Sequence, residues 1–224
     1  MLPLAFWALV TSTPLPAEPR APASEASREI VVVVHGLVRT RYSMNPTARA
    51  LEAAGFTVAK YGYPSLSAPV AELAPDLGRF LAEIDARPDV RKVHLVGHSL
   101  GNILIRWVVV HDRPAKLGRV VMLAPPNQGS HVADRFAPWL SWLAETLPDL
   151  TTAETSAARS IATPPNVEIG VIAGSRDHDV SIDESHLEGE TDHVVVSSGH
   201  SFIMWHREVH DLTISFLRTG RFRE

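Results

Sequence analysis

The 224-residue chain contains no cysteine. That excludes disulfides, thiolate metal sites and a cysteine nucleophile, and it leaves covalent catalysis to oxygen or nitrogen. Basic clusters are missing as well: the formal net charge is −4, and no run of Lys or Arg stands out. Without a positive field to attract phosphate backbones, nucleic acid is not an expected partner. No stretch approaches the roughly 18 consecutive apolar residues that span a bilayer, and no internal repeat is visible. What remains is a chain of 45% hydrophobic and 21% charged residues, the balance of one globular domain large enough to build its own core.

Residues 1–28 differ from the rest. An apolar run from Leu2 to Val10 gives way to a Pro-, Ala- and Ser-rich stretch in which Ala21 and Ala23 frame an A-x-A pattern. This segment reads either as a short signal peptide lacking the usual basic start or as a floppy leader, so exported and cytoplasmic locations both stay open. The domain proper is expected over 29–224.

From Ile30 onward, short β-branched runs alternate with helical patterns. Strands are expected at Ile30–Val34, Thr57–Tyr61, Val93–Val96, Val120–Leu123, Val167–Ala173 and Val194–Val196. Helices are expected over 46–54, behind the second strand (Val70, Leu73, Leu77, Phe80, Leu81, Ile84), over 100–111 and over 207–217. Unbroken apolar strands alternating with helices predict an α/β fold, a mostly parallel sheet of about six strands covered on both faces. The interval 125–166 breaks the rhythm and reads as an inserted cap or lid. Within it, Trp139, Leu140, Trp142, Leu143 and Leu147 fall on one helical face, suited either to meeting a lipid surface through 137–147 or to packing on the core.

The segment VHLVGHSLGN, 93–102, carries the chemistry. A serine hydroxyl becomes nucleophilic only where a base can take its proton, and a sharp turn from strand to helix presents it there. Gly97 and Gly101 flank Ser99 where larger side chains would collide with neighbouring elements. An inert serine in a glycine-rich turn is the alternative, but the strand before it and the helix after it argue for a nucleophile. In a doubly wound sheet the acid and base follow later strands in that order. His200, between the last strand and the last helix, is therefore the expected base. His193 precedes its strand, and His206 and His210 fall on the final helix. Asp177 is the first carboxylate after the fifth strand and the expected acid, with Asp179 and Asp183 as competitors. Backbone N–H groups of Leu37 and Leu100 are the expected oxyanion donors, while His35 and His98 are read as bracing residues. The Asp177, Asp179, Asp183 group lacks a matching histidine pair, so neither metal nor cofactor is expected.

Together VVVHGL, GHSLG, APPNQGS, DHDVS and GHSF resemble the α/β-hydrolase superfamily, in particular its small bacterial esterases and lipases, over almost everything from Ile30 onward. The resemblance implies the α/β-hydrolase fold and a triad of Ser99, Asp177 and His200. It also implies a serine hydrolase that cleaves small-molecule or lipid esters through an acyl-serine. Acyl transfer, thioester cleavage or a non-catalytic binding role on the same fold are the alternatives. Relatives commonly carry glycine directly after the pentapeptide and after the acid, where this chain has Asn102 and His178. A more polar or tighter pocket floor is expected at Asn102.

Overall fold

Every residue from Val31 to Val34 is buried, because the first strand has helices on both sides. Its side chains alternate: Ile30, Val32 and Val34 enter one core, Val31 and Val33 the other. In the computed structural model, which describes residues 28–223, the elements run β1 (Arg28–Val34), α1 (Asn45–Ala53), β2 (Thr57–Tyr61), α2 (Val70–Asp85), β3 (Val90–His98), α3 (Leu100–His111) and β4 (Leu117–Leu123). They continue with α4 (His131–Leu140), α5 (Ala157–Ser160), β5 (Ile169–Gly174), α6 (Ile182–Ser185), β6 (Asp192–Val196) and α7 (Arg207–Thr219). Residues 1–27, which make up nearly all of the expected leader, lie outside the described residues.

The six strands form one sheet in the order β2-β1-β3-β4-β5-β6, with all neighbours parallel. Parallel neighbours require crossovers, and here the crossovers fill both faces. Leu73, Leu77 and Leu81 of α2 and Leu104 and Val108 of α3 pack on one face, together with Leu147 and Leu150 of the insertion. Leu51 of α1 and Val209, Leu212 and Phe216 of α7 pack on the other. The chain runs from β1 outward to β2 and returns to place β3 on the opposite side of β1. The loops after β1 and β3 therefore diverge and open a crevice at the carboxyl ends of the strands.

The interval 125–166 adds no strand to the sheet. Its two ends are stitched down by hydrogen bonds. On one side Thr146 Oγ1 donates to Ser65 O (2.6 Å), and Asp149 Oδ2 accepts the Val70 N–H (2.7 Å) at the start of α2, where a helix favours negative charge. On the other side Ser130 Oγ donates to Asp179 O (2.6 Å), and the His131 N–H donates to Glu184 Oε1 (2.7 Å). Between them lies Arg106 of α3, 2% exposed. Its guanidinium faces no carboxylate and is held by backbone carbonyls: Nη1 donates to Ala158 O (2.9 Å) and Asn127 O (3.3 Å), and Nη2 donates to Ile161 O. Burial pushes its pKa down to about 10, which still leaves it charged at neutral pH.

The expected single apolar face from Trp139 to Leu147 does not form. Helix α4 stops at Leu140, so Trp142 and Leu143 lie in the turn beyond it. Leu147 is buried, whereas Trp139 and Trp142 are 77% and 79% exposed. Core packing thus accounts for Leu147 but not for the tryptophans.

Arg106 generates one test. An Arg106→Leu substitution strands the carbonyls of residues 127, 158 and 161, and it should cost about 3 kcal/mol. The expected readout is a lower urea midpoint at unchanged slope, and a midpoint equal to that of the wild type would show that the clamp contributes nothing.

Buried histidines generate another. His94 is 1% exposed, and its Nδ1 accepts the Arg119 N–H (2.9 Å), so it must be neutral. Burial is the main cause that lowers its pKa to about 4, and burial also lowers that of His35. In the unfolded chain both would titrate near 6.5. Between roughly pH 6.5 and 4 the unfolded state therefore binds more protons, and stability is lost as pH falls through that window. His94→Gln should flatten the fall in unfolding free energy over this range by up to about 1.4 kcal/mol per pH unit. Parallel curves for variant and wild type would contradict the assignment.

Candidate active site

Ser99 sits between the last residue of β3 and the first of α3, with φ 51° and ψ −125°. Such a left-handed backbone is unfavourable for any residue with a Cβ and persists only where surroundings enforce it. Here close packing does the enforcing. A Cβ on Gly101 would lie 2.5 Å from His35 O and 2.7 Å from Val34 O, and one on Gly97 would collide with the Asn102 side chain. The Ser99 N–H donates to Leu123 O of β4 (3.0 Å), which fixes the turn from the other side. Val38, after β1, and Ala124, after β4, also have positive φ (54° and 44°). Backbone strain is therefore concentrated at the carboxyl ends of β1, β3 and β4.

His200 begins a short 3-10 turn after β6. Its Nδ1 lies 2.7 Å from Asp177 Oδ2 and its Nε2 lies 2.9 Å from Ser99 Oγ. An ionised carboxylate only accepts, so Nδ1 carries the hydrogen and Nε2 is left to accept the serine O–H. The Asp177 carboxylate is itself fixed, because its Oδ1 accepts the N–H groups of Asp179 (2.8 Å) and Val180 (2.9 Å). The Asp177 side chain is 1% exposed, and Asp179 is exposed. Of the three candidate carboxylates, Asp177, Asp179 and Asp183, Asp177 is the one that meets the imidazole. His193 lies in β6, far from this contact, and hydrogen-bonds toward Ser185.

Two further histidines frame the site. His35 Nδ1 donates to Gly36 O (2.9 Å) and its Nε2 accepts the Tyr63 N–H (3.3 Å), while the Tyr63 hydroxyl donates to His35 O (2.8 Å). His35 thus braces the loop after β1. His98 is 2% exposed, and burial holds its pKa well below the usual imidazole range. Its Nε2–H donates to the His200 carbonyl (3.0 Å), so it positions the backbone of His200. The N–H groups of Leu37 and Leu100 have no hydrogen-bond acceptor among the described residues. They flank Ser99 from the β1 loop and from the start of α3.

A cavity of about 640 Å³ opens over Ser99 and His200. Its walls are mainly apolar, with Leu37, Leu66, Leu147 and Leu150 inside and Phe136, Leu140 and Leu143 from α4 and the turn after it. Arg39 and Ser201 stand at the rim, where Arg39 Nη2 donates to Ser201 Oγ (2.7 Å) and joins the β1 loop to the His200 turn. Asn102 does not shape this cavity, contrary to expectation. It is fully buried behind the turn, and its Nδ2 donates to Leu123 O (3.1 Å). A polar residue one step past Gly101 points down the helix toward β4 rather than into the crevice. His178 is exposed. The roles of Ser130, Arg39 and Leu66 were missed because they lie in loops whose course no periodicity reveals.

The family model described as "Serine aminopeptidase, S33" matches residues 25–213. A triacylglycerol lipase of Burkholderia plantarii is 27% identical over 143 residues, 60% of this chain, and the match covers only 39% of that lipase. Among solved structures, the mature lipase of Bacillus licheniformis superposes with a TM-score of 0.65 at 19% identity, covering 90% of this chain and 94% of its own. Lipase B of Aspergillus fumigatus superposes with a TM-score of 0.71 at 15% identity, covering 90% of this chain and 56% of its own. With the family model spanning most of its length and the parallel six-stranded sheet shared with these structures, the chain belongs to the S33 family of α/β-hydrolases.

Proposed function

We propose that the protein is a carboxylic-ester hydrolase in which Ser99 is the nucleophile, His200 the general base and acid, and Asp177 the carboxylate that orients the imidazole. The observation that carries this reading is the hydrogen-bonded line from Ser99 Oγ through His200 to Asp177 at the floor of an apolar cavity. In the first half-reaction Ser99 Oγ attacks the ester carbonyl carbon as its proton passes to His200 Nε2. The imidazolium so formed is stabilised by Asp177. Negative charge gathers on the former carbonyl oxygen, where the Leu37 and Leu100 N–H groups donate to it; a donor of this kind is worth roughly 3 to 4 kcal/mol of barrier. Collapse breaks the ester bond, His200 returns the proton to the departing alkoxide, and an acyl-serine remains. Water then attacks with His200 again as base, which releases the acid and restores the serine.

An apolar cavity of this size favours an acyl chain over a charged group. Trp139 and Trp142 are exposed and stand next in sequence to Leu140 and Leu143, which line the cavity. We place the lipid-surface contact there, because aromatic rings with a polar edge suit a membrane boundary.

Chromogenic esters from acetyl to palmitoyl test the reaction and its substrate class. Ser99→Ala should lower turnover by about 10⁵-fold and abolish labelling by a serine-directed phosphonate, and Asp177→Asn should lower it by on the order of 10⁴-fold. Activity is expected to rise with chain length beyond acetyl. Undiminished hydrolysis by Ser99→Ala would overturn the nucleophile, and selective cleavage of aminoacyl anilides over esters would replace ester hydrolysis with peptide chemistry. A Trp139→Ser/Trp142→Ser pair is expected to lose activity on emulsified triglyceride at least several-fold while retaining it on soluble butyryl ester. Equal loss on both substrates would remove the surface contact from the proposal.

A further inference from the structure

At the amino end of the edge strand β6, opposite the strand ends that carry Ser99, the chain leaves α6 at Ser185, turns tightly and enters β6. The connecting segment reads His186-Leu187-Glu188-Gly189-Glu190-Thr191-Asp192-His193. Gly189 has φ 78°, and the Glu190 N–H donates to Leu187 O (3.0 Å), so the turn folds Glu190 back beneath His186. Glu190 Oε1 then lies 2.7 Å from His186 Nδ1 and 3.6 Å from His193 Nδ1. The two imidazole rings stand 3.9 Å apart at 77° to one another. The carboxylate cannot swing away, since its Oε2 accepts the Leu187 N–H (3.0 Å).

The proton inventory of this cluster shows what it lacks. The Ser185 hydroxyl donates its one hydrogen to Ile182 O (2.6 Å), so toward His193 Nε2 at 3.3 Å it can only accept. The neutral His193 ring therefore carries its hydrogen on Nε2, and its Nδ1 lone pair faces the Glu190 carboxylate. A lone pair opposed to a carboxylate oxygen is unfavourable unless a cation lies between them. A backing hydrogen bond on the remote nitrogen is also what fixes a metal-binding histidine in its ligating tautomer. The chain from Asp177 to His206 holds no Lys or Arg, whereas Asp183, Glu184, Glu188, Glu190 and Asp192 are all acidic; the arginines that reach this region from elsewhere, Arg221 and Arg159, donate to Thr191 O (3.3 Å) and Gln128 Oε1 (3.2 Å) and leave Glu190 to the histidines.

From these contacts we propose that His186 Nδ1, Glu190 Oε1 and His193 Nδ1 form a binding site for a divalent transition-metal ion, with Zn²⁺ the best fit. Two nitrogens and one carboxylate oxygen are a donor set that Zn²⁺ favours. In a tetrahedral site with bonds of about 2.0 to 2.1 Å, neighbouring donors stand roughly 3.3 Å apart, a value the present spacings of 2.7 and 3.6 Å straddle. His186, half exposed, moves its hydrogen to the solvent-facing Nε2 on binding and leaves the fourth position to water. The site is remote from Ser99, and its role is structural: it ties the end of α6 to the start of the edge strand β6. Side chains of Asn127 and Gln128 bond the carbonyls of Ser185 and His186, so the ion also steadies the root of the insertion.

Chelator-treated full-length protein titrated with ZnCl₂ tests this by calorimetry, by thermal unfolding and by the visible spectrum of a Co²⁺ substitute. The expected result is one ion per chain and a melting temperature raised by about 5 °C at a hundredfold excess over Kd. Intense tetrahedral Co²⁺ absorption is expected as well. Glu190→Gln, which preserves shape and the Leu187 contact, and His186→Ala should each weaken binding by at least about 100-fold and remove the thermal shift. Zinc-free ester hydrolysis by both variants should match the wild type. His178→Ala, which removes an exposed histidine beside Asp177, should leave the thermal shift intact. No thermal shift in the wild type, or tight binding retained by Glu190→Gln and His186→Ala, would overturn the site and leave the cluster a hydrogen-bonded turn.

Discussion

The arrangement depends on how closely three backbones approach at the divergence of β1 and β3. Helix α3 starts so near the end of β1 that Gly101 lies almost against the carbonyls of Val34 and His35, and Gly36 is pressed against Ser99 and His98. That proximity holds Ser99 in a conformation it would not adopt alone, and it directs the hydroxyl outward toward His200. The conformational cost, of order 1 to 3 kcal/mol per strained residue, is offset by a sheet whose central strands are buried from Ile30 to Val34, from Val93 to His98 and from Val120 to Leu123.

Around this point the polar side chains act mostly on backbone. His98 holds the carbonyl of His200, His35 holds the β1 loop to Tyr63, and Asn102 holds α3 to the end of β4. Each has one hydrogen-bonding arrangement that satisfies its neighbours, and in His35 and His98 burial suppresses protonation. The geometry of the serine, histidine and carboxylate therefore rests on groups that keep one charge state across the neutral range.

Much of this was legible in the sequence, for reasons that also explain what was not. Runs such as Ile30–Val34 are apolar at every position because both faces are covered, so the strands announce themselves. Parallel connectivity then sends every loop after a strand to the same end, which is why Ser99, Asp177 and His200 were identifiable from order alone and do meet. The competition between Asp177 and Asp179 needed coordinates, since two residues of loop separate an inward from an outward carboxylate. The helix expected through Leu147 failed because periodicity persists across a break that only backbone geometry reveals. Arg106 gave no signal, because its partners are carbonyls, which every residue has. The spacing of His186, Glu190 and His193 follows no helical period, because the middle residue is returned by a glycine turn rather than by a helix.

The anchoring of the insertion is uneven along its length. Residues 145–161 and 127–134 are bonded to α2, α3, the loop before α2 and the 179–186 loop, but from Arg135 to Ala144 the hydrogen bonds among the described residues run only to neighbours within 131–147. The part of the molecule that walls the cavity over Ser99 is thus a cassette between two fixed posts. Apart from Ala137 and Ala144, which join the core on that face of the sheet, its residues make no bond to the strands, so the wall of the cavity can diverge in sequence while Ser99, His200 and Asp177 keep their contacts.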